Sequence, residues 1–138
     1  MHASAFAHPQ LRLVFIGGGN MASAILGGLI KEGLRPDQVT VVAPTEATRA
    51  RLSAQFGVHT LGAAGPELAG ADVVVSGHTH RGQVFPATLL IKYFQAYPYG
   101  HYRVGDTQLV VTSGYGLWGL PFRLGARSEV AMIELIGK

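Results

Sequence analysis

The feature that most constrains this chain is the junction at Ile16, where an apolar run of strand length, Leu11 to Ile16 (LRLVFI), passes directly into Gly17-Gly18-Gly19-Asn20-Met21-Ala22. Helical periodicity follows at once: Ile25, Leu26, Leu29 and Ile30 fall on one face between Met21 and Glu32, and Gly33 stands where a C-cap glycine belongs. A strand that turns through glycines into a helix begins a β-α-β unit, which sets parallel strands in one sheet with helices across it. In this context the glycines fit G-x-G-x-x-G/A, with Gly17 for the tight turn, Gly19 for close approach to a pyrophosphate and Ala22 for packing of helix on sheet. Amide groups at the helix start, at Asn20 and Met21, would hold phosphate oxygens. A turn that serves the fold alone is the alternative, and the strand and helix around it favour nucleotide binding.

The pattern repeats. Gln38 to Ala43 (QVTVVA) reads as a second strand, and Thr45 to Phe56 as a helix with Thr45 as N-cap, Glu46 in its first turn and Gly57 at its end. An NAD site offers an acid at the tip of this strand, to hold the ribose hydroxyls; here stand Ala43-Pro44-Thr45, followed by Thr48 and Arg49, which favours the extra phosphate of NADP. Arg49 and Arg51 read equally well as ordinary solvated helix residues. Pro66 starts a short helical turn, and Asp72 to Val75 begins a third buried strand, expected to pair beside the first.

FIGGGNMASAILGGLIKEG, then a strand, a helix ending in QFGV, and LAGADVVV resemble the amino-terminal part of pyrroline-5-carboxylate reductases over about Leu11 to Val75. The resemblance implies a Rossmann domain that binds NAD(P)H to reduce an imine. In that family the third strand runs into a segment like VKPQ, and a helical domain supplies the substrate site and dimer contacts. This sequence carries neither, so nucleotide binding without turnover is expected.

After Val75 the chain reads Ser76-Gly77-His78-Thr79-His80-Arg81-Gly82-Gln83. Two loop histidines at i and i+2 past a buried strand either aim at one site, where such pairs bind metal, or stand as polar surface. SGHTHRGQVFP and YGHYRVGDTQLVVTSGYGLWGLPFRLGARSEVAMIEL resemble the carboxyl-terminal part of calcineurin-like metallophosphoesterases, over about Asp72 to Leu135. That resemblance implies that His78 and His80 each bind one ion of a two-metal, ester-hydrolysing centre. Its other ligands come from Asp-x-His, Gly-Asp and Gly-Asn-His motifs. Asn20, the only asparagine, is followed by Met21, and Gly105-Asp106 reads as a hairpin turn between Tyr99 to Val104 and Gln108 to Thr112. Two histidines without carboxylates leave room for one weakly held divalent ion.

The expected fold is α/β: a Rossmann-like β-α-β-α-β half (11–75), extended by a carboxyl-terminal hairpin and strand (76–138) into one mixed sheet, after a flexible tail (1–10). The last strand is placed at Ser128 to Ile136, with Val130, Met132 and Glu134 on one face. Tyr93 to Tyr102 are assigned to core or interface, and Trp118, Pro121 and Phe122 to one end of the sheet. The absence of cysteine excludes disulfides and thiolate chemistry and fits a cytoplasmic origin. Eleven basic residues against eight acidic form no cluster dense enough for nucleic acid, and the run Val84 to Ile91, broken by Pro86, is far short of the roughly 20 residues that span a bilayer. The chain is therefore expected to be a chimeric domain, joined at ADVVV, with no catalytic residues of its own. A nucleotide or phosphate ligand would sit between Gly17 to Ala22 and His78 or His80. Exposed apolar surface would favour a homo-oligomer. The competing classes are a metal-dependent phosphoesterase and an NADP-dependent oxidoreductase fragment.

Overall fold

In the computed structural model, which describes residues 10–77, 80–117 and 119–134, three apolar runs and one short polar one form parallel strands: Leu13–Ile16 (β1), Val39–Val42 (β2), Val73–Ser76 (β4) and, at the edge, His59–Leu61 (β3). Helices Asn20–Lys31 (α1) and Glu46–Phe56 (α2) make the first two crossovers. A helix Ala87–Phe94 (α3) then leads to an antiparallel hairpin, Gly100–Val104 (β5) and Thr107–Val111 (β6), turned at Gly105-Asp106. The six strands lie in the order β3-β2-β1-β4-β6-β5, and β6 runs parallel to β4. This is the expected Rossmann-like half extended by a hairpin into one mixed sheet.

Register places the site. Leu13 pairs with Val39 on one side and Val73 on the other, and Val73 pairs in turn with Gln108, so β1, β2, β4 and β6 end level, at Ile16, Val42, Ser76 and Val111. The chain leaves β1 toward β2 and returns on the other side as β4, so the switch point lies between β1 and β4.

The core explains why these runs fold this way. Leu26 of α1 and Leu52 of α2 are fully buried against Phe15, Val39, Val41, Val73 and Val75. Each such leucine contributes about 1.5–3 kcal/mol by leaving water. The opposite face carries a smaller cluster of Val14, Val42 and Ala71, with Leu68 packed over it. The edge opposite the site is closed where the Arg12 N–H donates to Asp72 Oδ2 at 2.8 Å and its guanidinium reaches the carbonyl of Ala69. Among the described residues no helix is long and apolar enough to cross a membrane.

Three expectations are corrected. Residues 128–134 form no strand. Both edges of β6 are occupied, by β4 and β5, and Glu129 is bonded to the end of β6, so the segment lies over the sheet face, where Ala131 and Ile133 approach Val73 and Val75. Pro86 divides the run around it by serving as N-cap of α3, whose Leu89, Leu90, Tyr93 and Phe94 stand exposed, so that Tyr93, at 74%, lies outside the core. Pro121 and Phe122 are exposed as well, and Trp118 lies outside the described residues.

Candidate functional site

The wall of the site that follows β1 is the glycine loop. Gly17 adopts φ +111°, open to glycine alone, and its N–H donates to the carbonyl of Val42 at 2.9 Å. At Gly18 a Cβ would stand 2.7 Å from Thr48 Cγ2, 2.9 Å from Leu52 Cδ1 and 3.1 Å from Ala43 Cβ, so the middle glycine is the one that lets α2 pack against the loop. Gly19 is the N-cap of α1, makes no side-chain cap and faces open space, with nothing within 4 Å of a Cβ. The first backbone bond of the helix is Ser23 N–H to Gly19 O, so the amides of Asn20, Met21 and Ala22 precede it and are the ones a ligand can claim. Ala22 is buried on the sheet, as its place in the pattern requires.

Two arginines of α2 behave differently. Arg51, read from sequence as solvated, donates to the carbonyl of Gly18 at 2.9 Å and to Ser23 Oγ at 3.1 Å, clamping the loop from outside. Arg49 turns back to the tip of β2, giving hydrogen bonds of 2.7 Å to the carbonyls of Ala43 and Pro44 and pairing with Glu46. Thr45 occupies the N-cap position of α2 without a capping hydrogen bond from its side chain. Neither Thr45 nor Arg49 lines the cavity described below.

The facing wall follows β4 and β6. Gly77 lies against Met21, whose Cε is 2.9 Å from where a Cβ would be. His80, Arg81 and Gln83 take positive φ of 46°, 52° and 49°, a conformation non-glycine residues hold only when the surroundings impose it. The imposing contacts are long-range. Gln83, buried, donates through Nε2 to the carbonyls of Leu120 and Phe122. Arg123 donates through Nη2 to the carbonyls of Ser113, Gly114 and Gly116, and lies 3.3 Å from Nδ1 of His80. Glu129 secures the same loop, accepting from Thr112 Oγ1 at 2.8 Å, the Ser113 amide at 2.9 Å and the Tyr99 hydroxyl at 2.6 Å. Burial pushes the Glu129 carboxyl up, but these donors outweigh it and hold it below its ordinary range. The hydrogen bond to Glu129, with burial and its negative charge, holds the Tyr99 phenol above its ordinary range.

Between the walls opens a cavity of about 420 Å³ lined by Gly17, Gly19, Asn20, Met21, Ala22, Gly77, His80 and the loop Gly114 to Leu117. Its size is that of a ligand pocket. The structure thus brings together five of the glycine-loop candidates and His80, while His78 lies outside the described residues. Among the described residues no group of three His, Asp or Glu stands close enough to hold a metal, and the Arg123 guanidinium adjoins His80. The described residues do not fit a two-metal centre.

Two kinds of known protein share this sequence. The chain is 52% identical over 68 residues to an uncharacterized metallophosphoesterase of Helicobacter pylori, covering 49% of this chain and 18% of that protein. It is 41% identical over 64 residues to the pyrroline-5-carboxylate reductase of Vibrio alginolyticus, covering 46% and 24%. A solved pyrroline-5-carboxylate reductase from Coxiella burnetii is 33% identical and covers 54% of this chain and 28% of its own, with a TM-score of 0.49. The chain spans less than a quarter of the length of either curated relative. Residues 12–80, from the start of β1 through His80, match the family described as NADP oxidoreductase, coenzyme F420-dependent, and the chain belongs to that family.

Proposed function

We propose that the chain binds NADP(H), or another nucleotide phosphate, in the crevice between Gly17 to Ala22 and His80. The observation that carries this reading is the juxtaposition itself: the uncapped start of α1 and an imidazole line one cavity at the switch point between β1 and β4. Helix-start amides and the helix dipole favour an anion there. The pyrophosphate would lie on the amides of Asn20, Met21 and Ala22, with Gly19 open to its approach. The ribose would extend to the tip of β2, where Ala43-Pro44-Thr45 offers no carboxylate and Arg49 supplies the charge for a 2′-phosphate. A bound NADPH supplies a hydride, but no described side chain in the crevice is assigned a catalytic part. Calorimetry tests the reading: saturable heat with NADPH supports it, and no binding at millimolar NADPH refutes it.

The likeness to metallophosphoesterases on one side and to a reductase on the other supports a joined origin for the chain, with β4 as the shared strand. It also raises metal-dependent ester hydrolysis. His80 next to Arg123 gives that chemistry no carboxylate, so the single weakly held divalent ion remains tied to His78 and His80 together. Manganese-dependent cleavage of p-nitrophenyl phosphate, lost in a His78→Ala, His80→Ala double variant, would establish it. The exposed apolar side chains of α3 support a homo-oligomer, and the lack of cysteine supports a cytoplasmic setting.

A further inference from the structure

Arg123 lies 43 residues beyond His80, yet its guanidinium stands where the loops after β4 and β6 meet. Three of its acceptors are the carbonyls of Ser113, Gly114 and Gly116, and the fourth neighbour is Nδ1 of His80. Nη2 carries two protons shared among these four neighbours, and because a guanidinium only donates, its hydrogen bond to the ring makes Nδ1 the acceptor and leaves the proton of the neutral ring on Nε2. Among the described residues Arg123 makes no ion pair; the pairs there are Arg35 with Asp37, Arg49 with Glu46 and Arg103 with Asp106. Nε and Nη1 of Arg123 are moreover buried without hydrogen-bond partners among the described residues. A cation so placed is costly, and an anion nearby offsets the cost. The φ of +46° at His80 is a backbone conformation that non-glycine residues seldom hold, and Arg123 is the neighbour that meets its ring.

We propose that Arg123 is a positioning residue for anion binding. It fixes His80 as the Nε2–H tautomer, so that the imidazole donates to a phosphoryl oxygen held by the amides of Asn20 to Ala22, and its charge makes this wall attractive to a dianion. The proposal rests on the reading that the crevice binds a phosphate, and it names the residue that completes the second wall.

Two measurements separate the proposal from the reading beneath it. Long-range proton–nitrogen spectra of the ligand-free chain, labelled at histidine, report the tautomer of His80 without any ligand. Calorimetry with NADPH and with inorganic pyrophosphate then compares the wild-type chain with Arg123→Lys, Arg123→Met and His80→Ala. The expected result is an Nε2–H ring in the wild-type chain and a tautomer mixture in Arg123→Met. Affinity should fall about ten- to a hundredfold in Arg123→Met and in His80→Ala, the loss expected for a hydrogen bond to a charged group, and less in Arg123→Lys. An Nδ1–H ring in the wild-type chain overturns the proposal, as does unchanged affinity in both Arg123→Met and His80→Ala. Should Arg123→Met lose the native amide spectrum, the wild-type tautomer and the His80→Ala titration decide on the same terms. Absence of any NADPH or pyrophosphate binding by the wild-type chain instead refutes the underlying reading, whatever the tautomer.

Discussion

Three consecutive glycines look alike in sequence, but the structure gives Gly18 and Gly19 opposite tasks, and alanine at each separates packing from binding. At Gly19 the backbone is already extended, with φ −76° and ψ −169°, and a Cβ meets nothing within 4 Å. Gly19→Ala should therefore fold, losing about 0.5–1 kcal/mol because alanine is a poor N-cap. Its methyl, however, enters the space through which a phosphate must come within about 2.9 Å of the helix-start amides. Loss of one charge-assisted hydrogen bond costs about 1.5–3 kcal/mol, so NADPH should bind roughly ten- to a hundredfold more weakly. Gly18→Ala pushes a carbon to 2.7 Å from Thr48 and 2.9 Å from Leu52, and Leu52 is fully buried and has nowhere to go. Overpacking of this kind costs about 1–3 kcal/mol. Urea unfolding followed by circular dichroism measures the first quantity, and calorimetric titration the second. If Gly19→Ala binds NADPH as tightly as the wild-type chain, no phosphate lies on this loop. If Gly18→Ala is as stable as Gly19→Ala, the contact between α2 and the loop has been misjudged.

Removal of the outer clamp by Arg51→Ala frees the Gly18 carbonyl and Ser23, and should weaken NADPH about three- to tenfold with under 1 kcal/mol lost from stability, because the side chain is exposed; titration and urea unfolding check both. Glu46→Gln releases Arg49 from its ion pair, and should shift the NADPH-to-NADH affinity ratio up by about fivefold if Arg49 meets the 2′-phosphate; an unchanged ratio removes Arg49 from the site. Glu129 is depressed in the folded state, so its contribution is complete above its ordinary value of 4.5 and is lost as pH falls through the lowered one. Glu129→Gln should therefore be about 1–3 kcal/mol less stable than wild type at pH 7, with the difference shrinking as pH falls below 4.5, and a difference that stays constant into the acid range contradicts the assignment.

What the sequence disclosed and what it hid divide by the range of the interactions. β1, α1, β2 and α2 are legible because Leu26, Leu52 and the strand valines repeat at local periods, and because Gly33 and Gly57 mark helix ends with positive φ. The hairpin at Gly105-Asp106 is legible for the same reason. The alternation of SEVAMIELI has the period of a strand, but a strand needs a free edge, and whether β6 has one is a property of the whole sheet. α3 escaped notice because Pro86 reads as a break when it stands at a helix start, and because only Thr88 and Lys92 mark a polar face in its eight residues. The cavity followed from pairing Asp72 to Val75 beside β1, which brought His80 to the glycine loop. Arg51, Gln83 and Arg123 did not, since each reaches a carbonyl of a distant loop and leaves no mark near itself in the chain.

The most direct test of the crevice is an amide proton–nitrogen correlation spectrum of the labelled chain recorded through a titration with NADPH. Saturable shifts are expected at Gly17 to Ala22, Gly77, His80 and Gly114 to Leu117, with none at the separate cavity lined by His101, Gln108 and Met132. Shifts confined to that second cavity, or a spectrum unmoved at millimolar NADPH, would contradict binding in the crevice.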